Sequence, residues 1–373
     1  MKQKFGTVLK IILAACFLYL FLLSIGLMGA AFKGFGKDFA ENLVKTTSNP
    51  FVGLLIGILA TSVVQSSSTT TSIVVGIVGS GGLTVANAIP IVMGANIGTT
   101  VTNTLVSLGH VGRRGEFRKA IGAATVHDFF NLICVAIMFP LELLTGYLEK
   151  TASILSKAFQ NVGGFKFTSP IKMIIDPVVK SIKSISLDIF GSSHHAAYIF
   201  ILILSAVILF FSLYFIVKIM KSLIVSRAEI VLNNIVKKHG NLALLAGLVF
   251  TIMVQSSSIT TSLMIPMVAA GVLTVESVFP ITMGANIGTT TTAILASFAT
   301  GNISAITIAF VHFLFNVTGV LVLYPIPVFR RIPIGLALRL GIVASRKRYI
   351  AFLYVLGVFF VLPLLLIFIS KLF

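Results

Sequence analysis

Apolar residues in this chain fall into continuous blocks, not into the alternation of a half-buried strand or the stripe of a surface helix. Seven blocks, residues 11–31, 84–107, 120–144, 196–217, 274–297, 304–325 and 349–370, reach the ~20 residues a helix needs to cross a bilayer. Two further apolar stretches, 51–79 and 242–270, are broken at mid-length by Gln-Ser-Ser-Ser, at 65–68 and 255–258. Each half is then about a dozen residues, too short to cross alone. Non-helical backbone at membrane depth survives only where protein or a wet cavity satisfies it. These stretches are therefore expected to be re-entrant hairpins of two half-helices. The predicted fold is an all-α polytopic membrane protein with two re-entrant helical hairpins and about seven spanning helices. Along the chain this gives a first span and outside segment (1–50), a hairpin with two spans (51–144) and an outside loop (145–193). A linking span and basic inside loop (194–241), a second hairpin with two spans (242–325), and a basic inside loop with the last span (326–373) follow.

Composition fits a membrane protein. The 373 residues are 57% hydrophobic and 10% charged, against about one quarter charged in soluble domains, and the mean hydropathy is +1.07. The net charge of +18 does not point to nucleic acid, because the cations sit in short clusters between apolar blocks and Trp is absent. With the N-terminus inside, 18 of the 28 Lys and Arg fall on inside segments, every Arg among them, against two acids, Glu116 and Glu229. That is the bias of cytoplasmic loops. The expected placement is multi-pass in the cell (inner) membrane, N-terminus cytoplasmic and C-terminus outside. The first apolar block, about 20 residues, is longer than a signal-peptide core of ~7–15 and is read as a retained span. Cys16 and Cys134 lie within apolar blocks and offer neither a disulfide framework nor metal spacing.

The chain repeats itself. Residues 65–107 and 255–297 agree without a gap at 25 of 43 positions. Further on, VHDFFN (126–131) faces VHFLFN (311–316). Three predicted spans separate the copies, and an odd number inverts the second. Inverted repeats mark secondary transporters, with the site at the repeat interface. A merely structural duplication would keep small residues and apolar spacing, but has no need of a repeated Gln, Asn and hydroxyl run at mid-membrane.

Each Gln-Ser-Ser-Ser sits at a hairpin tip, just before a half-helix. Ser and Thr are good N-caps, and a helix N-terminus presents free N–H groups with partial positive charge. Two such ends meeting from opposite sides make an anion site without a fixed cation. Gln65, Ser66, Ser67, Ser68, Gln255, Ser256, Ser257 and Ser258 are the candidate anion-binding residues, together with the mid-span amides Asn96 and Asn286. Polar glue between helices is the competing reading. The string GANIGTT (94–100 and 284–290) carries glycines that either break the helix or pack it tightly. Its hydroxyls Thr99, Thr100, Thr289 and Thr290, with Thr292 beyond, supply the oxygens that a hard cation such as sodium takes. Asp128 is a carboxylate inside a span, costly and by default functional. Its counterpart is Phe313, so the carboxylate suits one cation site, a proton site, or a buried structural pair. His127 with Asn131, and His312 with Asn316, share helix faces at i and i+4. Glu142 and Glu276 lie near span ends and are read as solvated. No Lys or Arg falls at mid-span, so a divalent anion would need bound cations as company, and sodium coupling follows as a hypothesis.

The long motifs QSSSTTTSIVVGIVGSGGLTVANAIPIVMGANIGTTVTNTLVSL, EFRKAIGAATVHDFFN, QSSSITTS, ANIGTTTTAILAS and YPIPVFRRIPI closely resemble the type II sodium–phosphate cotransporters, over about residues 28–365. The resemblance implies sodium-driven symport of inorganic phosphate by alternating access, with phosphate between the two Gln-Ser-Ser-Ser tips. By position it implies one sodium at Gln255, Ser256, Thr289 and Thr292, and part of another at Thr104, Asp128 and Asn131. An Asp after the motif His goes with electrogenic transport in that family, as Asp128 does here. The implied partners are phosphate, sodium and the bilayer. Sodium is cargo, no cofactor is implied, and a dimer is among the open oligomeric states. Three departures stand out. HVGRR (110–114) replaces the family's Gln-x-Gly-Asp-Arg, segment 145–193 has no cysteine for the family's disulfide, and the chain stops at Phe373, before the last span of the animal proteins. A phosphate exporter, a carrier of another tetrahedral oxyanion and an anion channel are the alternatives. An enzyme is not expected, since the serines form a duplicated string and not a nucleophile elbow.

Overall fold

The computed structural model describes residues 2–161, 170–236 and 240–370. Parts of the expected outside loop (162–169), the basic inside segment (237–239) and the chain end (371–373) lie outside them. The described residues are helical throughout. The first half runs through α1 (Lys2–Gly34), α2 (Lys37–Thr46), α3 (Pro50–Val64), α4 (Ser67–Ser80), α5 (Val85–Gly98), α6 (Val101–Leu108) and α7 (Arg114–Thr145). Helices α8 (Tyr147–Asn161), α9 (Pro170–Phe190) and α10 (His194–Val236) link the halves. The second half comprises α11 (Gly240–Val254), α12 (Ser257–Ser262), α13 (Met264–Ala269), α14 (Val275–Thr300) and α15 (Ile303–Leu323). The chain closes with α16 (Pro327–Arg346), α17 (Tyr349–Leu356), a π-helical turn (Gly357–Val361) and α18 (Leu362–Ser370).

Six helices are long and apolar enough to cross a membrane, or up to seven if α2 and α3, bent by 94° at Thr47–Asn49, count as one span. Predicted span 274–297 forms as the 26-residue α14. Its length suffices, but four consecutive threonines, 289–292, dilute its hydropathy. Three of the membrane-length helices, Val85–Leu108, Arg114–Thr145 and His194–Leu223, separate the two broken stretches, so the second copy is inverted relative to the first.

Both hairpins break where the sequence places the break, and by the same device. Gln65 and Gln255 adopt left-handed backbone, φ 57° and 58°, and are the two non-glycine residues at positive φ among those described. This conformation costs energy outside glycine. It ends α3 and α11 and hands the chain to Ser66 and Ser256, extended N-caps of α4 and α12. The first arm of each hairpin then lies on the helix that follows the hairpin through backbone-to-backbone glycine contacts. A Cβ on Gly57 would strike the Ile91 carbonyl, and one on Gly94 the Leu54 carbonyl; Gly247 with Ile281 and Gly284 with Leu244 repeat the arrangement 190 residues on. Tight packing is thus what these glycines do. The first copy also breaks, at Thr99–Thr100 between α5 and α6, whereas α14 continues unbroken.

Segments read as loops are helices. Helix α8 buries Leu148, Ala152 and Ser156, an i, i+4, i+8 stripe, against α15. Helix α9 buries Ile175 and Val179 against α1 and α10. Helix α16, in the expected inside loop, buries Ile334, Ala337, Gly341 and Ala344 against α7, and α10 runs on through the basic segment to Val236. The charges that interrupt the apolar blocks in α8, α9 and α16 lie on the unburied faces of these amphipathic helices. Glu142 is not simply solvated either. Half-buried, it accepts the backbone N–H of Leu148 and Glu149 and so caps the start of α8.

Candidate anion and cation site

The two hairpin tips converge. A cavity of about 240 Å³ is lined by Gln65, Ser66, Ser67 and Ser68 from one tip and by Gln255, Ser256, Ser257 and Ser258 from the other. All eight predicted tip residues therefore face one space. Ser68 Oγ and Thr289 Oγ1, 3.1 Å apart, tie the first tip to the second half. The Thr261 hydroxyl donates to Asn103 Oδ1 at 2.9 Å and ties the second half to the first.

The caps leave chemistry to spare. Ser66 Oγ accepts from the Thr69 N–H at 3.2 Å and the Thr69 hydroxyl at 2.9 Å, and Ser256 Oγ accepts from the Ile259 N–H at 3.3 Å. A serine hydroxyl that accepts still has its own proton to donate. Each tip thus offers hydroxyl donors and the open first turn of a helix to the same point. No Lys or Arg is among the described residues lining the cavity. Its remaining wall is α10, with Phe210, Leu213, Tyr214 and Val217. Sequence reading took α10 for a plain span. The signal available was Tyr214 one turn before Lys218, whose ammonium lies 5.7 Å from that ring.

Asn96 and Asn286 do not reach the cavity. Both are 1% exposed and are engaged behind the tips, where each half bonds to the other. His127 Nε2 lies 2.6 Å from Asn286 Oδ1, and Asn286 donates to Asn131 Oδ1 at 2.6 Å. His312 Nε2 lies 3.3 Å from Asn96 Oδ1, which also takes a 3.4 Å bond from Asn316. The repeated His and Asn pairs are thus the buried seam between the halves.

The predicted cation residues form two groups. At the second tip, Thr292 donates to Gln255 Oε1 at 2.9 Å, beside the Ser256 cap and Thr289. The other group surrounds the α5–α6 break and α7. Asp128 is fully buried, Thr100 and Thr104 flank it, and Asn131 follows one turn on, donating to the Asn96 carbonyl at 2.9 Å. Oδ1 of Asp128 and the hydroxyls of Thr99 and Thr104 are buried with no hydrogen-bond partner among the described residues. Buried oxygens without partners call for an explanation, an unseen ion among them. Thr290, in contrast, spends its hydroxyl on the Ile287 carbonyl at 2.7 Å, and Thr100 bonds the Ile97 carbonyl in the same way. No group of three His, Cys, Asp or Glu occurs among the described residues. Hydroxyls, amide oxygens and a single carboxylate suit a hard cation such as an alkali ion better than a transition metal. Of the departing loop, His110 and Arg113 both turn to Glu116, at 3.3 and 2.8 Å, a surface ion cluster away from Asp128. Cys134 is buried and Cys16 exposed, both as free thiols.

The sequence profile of the Na+/Pi-cotransporter family matches residues 20–168 and 208–325. Sodium-dependent phosphate transport protein 2B of Pongo abelii is 36% identical over 95% of this chain and 64% of its own length, and the Homo sapiens 2B protein gives the same figures. Sodium-dependent phosphate transport protein 2A of Ovis aries is 36% identical over 96% of this chain and 67% of its own length. The chain thus spans 64% of the length of these 2B proteins. No solved structure matches it. The profile covers both hairpins, both tips and the histidine-asparagine seam, so the chain belongs to the Na+/Pi-cotransporter family.

Proposed function

We propose that this protein couples the entry of inorganic phosphate to that of sodium, by alternating access across the cell membrane, and moves net charge. The observation that carries this reading is the convergence of two inverted Gln-Ser-Ser-Ser tips on one cavity whose lining has hydroxyls and helix N-termini but no cationic side chain. Phosphate is held by the Ser66–Ser68 and Ser256–Ser258 groups and the amides Gln65 and Gln255. Helix ends supply only partial charge, so sodium at the Gln255–Ser256–Thr289–Thr292 group and at the Asp128 group offsets the rest. Asn96 and Asn286 act from behind, holding the halves in register. The basic segments argue for a cytoplasmic N-terminus and an outside C-terminus. The substrates named for the relatives, sodium and phosphate, agree with this chemistry.

The test is phosphate uptake into liposomes under sodium, potassium or proton gradients. Uptake driven by sodium alone is expected, and sodium-independent uptake would remove the coupling. Asp128→Gly should abolish the response of uptake to a potassium-diffusion potential. In the parent protein each net charge carried inward gains ~2.3 kcal/mol per 100 mV. An unchanged voltage response in the variant counts against charge movement through this carboxylate.

A further inference from the structure

Tyr354 lies outside the repeat and beyond the residues that the family profile matches, yet its hydroxyl donates to Oδ2 of Asp128 at 3.0 Å. Its helix faces outward almost everywhere. The span Tyr349–Ser370 is only 17% buried, and Phe352, Leu353 and Leu356 are exposed. Tyr354 turns the other way. Its ring packs at 6.2 Å from Phe129 and at 6.0 Å, edge to face, from Phe359. Phe359 is fully buried and sits in the π-helical turn Gly357–Val361. Such turns break the regular helical spacing and recur at functional sites. Here the turn carries the ring that supports Tyr354.

The carboxylate is consequently asymmetric. Oδ2 has a donor, whereas Oδ1, although Thr100 and Thr104 flank the carboxylate, has no well-formed hydrogen bond among the described residues, and neither do the hydroxyls of Thr99 and Thr104. A buried carboxylate oxygen left so is expensive. A donor on one oxygen fixes the side-chain rotation and keeps that oxygen occupied, which reserves the other.

We propose that Tyr354 is a positioning residue of the Asp128 cation site. Its hydroxyl holds Oδ2 so that Oδ1 stays turned to the ion. The inference rests on the reading of Asp128 as a sodium residue. It is tested with the purified full chain by two readouts, the thermal midpoint as a function of sodium concentration and sodium-driven phosphate uptake in liposomes. Tyr354→Phe keeps the ring and removes the hydroxyl. It should raise the half-saturating sodium concentration in both assays by roughly tenfold, the scale of one hydrogen bond to a charged group. The phosphate KM at saturating sodium should not change. In an Asp128→Asn background the same substitution should add little. Phe359→Leu, which loosens the ring and leaves the hydroxyl, should lower the thermal midpoint and move the sodium dependence much less than Tyr354→Phe does.

A sodium-coupled parent protein with an unaltered Tyr354→Phe variant would overturn this inference and leave the proposed function standing. Equal shifts from Phe359→Leu would also overturn it, by assigning the effect to packing. A parent protein indifferent to sodium in both assays overturns the two together.

Discussion

In the second hairpin Thr251 and Thr260 share a hydrogen bond of 2.6 Å. In the first, Thr61 occupies the place of Thr251, and its hydroxyl is buried with no partner among the described residues. The difference repeats nearby. Thr289 meets Ser68 across the halves, while its counterpart Thr99 meets nothing described. Gln255 is held by Thr292 through its side chain, whereas Thr102 reaches only the backbone carbonyl of Gln65, at 3.5 Å. Helix α14 is continuous where α5 and α6 break. The backbone of the repeat is nonetheless kept, with the same left-handed Gln, the same Ser cap and the same glycine contacts. Duplication has preserved the scaffold, and the two halves have diverged in how far their hydroxyls are already satisfied. The second tip is closed on itself. The first half holds buried oxygens without a hydrogen-bond partner among the described residues.

The largest effects should come from the shared scaffold and should be equal in the two halves. Gly57→Val and Gly247→Val each drive a side chain into a carbonyl, of Ile91 and of Ile281. Overpacking against backbone that cannot yield should cost about 3 kcal/mol. Size-exclusion profiles after graded heating measure this directly. If one variant is tolerated and the other is not, the backbone symmetry is less strict than the contacts indicate.

Next come the caps. Ser66→Ala and Ser256→Ala each remove one N-cap, worth ~1 kcal/mol of stability, and one hydroxyl from the cavity. Phosphate uptake should fall by about tenfold, more than the loss of stability explains, because a hydrogen bond to an anion is worth more than a neutral one. Well-folded variants with normal uptake kinetics would contradict a substrate role for the tips. A loss confined to one serine would assign the anion to that half.

Much of this architecture was legible in the sequence. Gln-Ser-Ser-Ser interrupted an otherwise apolar run, and repetition at a fixed offset distinguished design from accident. Those two features located both hairpins, both breaks and the inversion. What escaped has physical causes. Helices α8, α9 and α16 alternate charge with apolar residues, so block hydropathy shows a loop where one face is buried. Asn96 and Asn286 stand in GANIGTT, beside the threonines expected to meet a cation, and the string alone does not reveal that α5 and α14 turn them toward the partner half's histidines. Tyr354 belongs to no repeat, and an aromatic in a greasy terminal span carries no mark of a hydrogen bond to a carboxylate 226 positions away.

The smallest expected effect tests the comparison most directly. Threonine and valine are nearly isosteric, so Thr61→Val and Thr251→Val exchange one hydroxyl for a methyl at equivalent positions of the two halves. At Thr251 the hydrogen bond to Thr260 is lost, and the net contribution of such a bond is about 1 kcal/mol. At Thr61 no described partner is lost, and an unsatisfied buried hydroxyl, itself a cost, disappears. Thermal unfolding without sodium should therefore show Thr251→Val destabilised and Thr61→Val unchanged or slightly stabilised. Adding sodium should shrink any gain at Thr61 if that hydroxyl serves an ion, because the ligand then stabilises the parent protein more than the variant. Equal destabilisation of both variants without sodium would mean that Thr61 is already satisfied, and that the two halves differ less than their hydrogen bonds indicate.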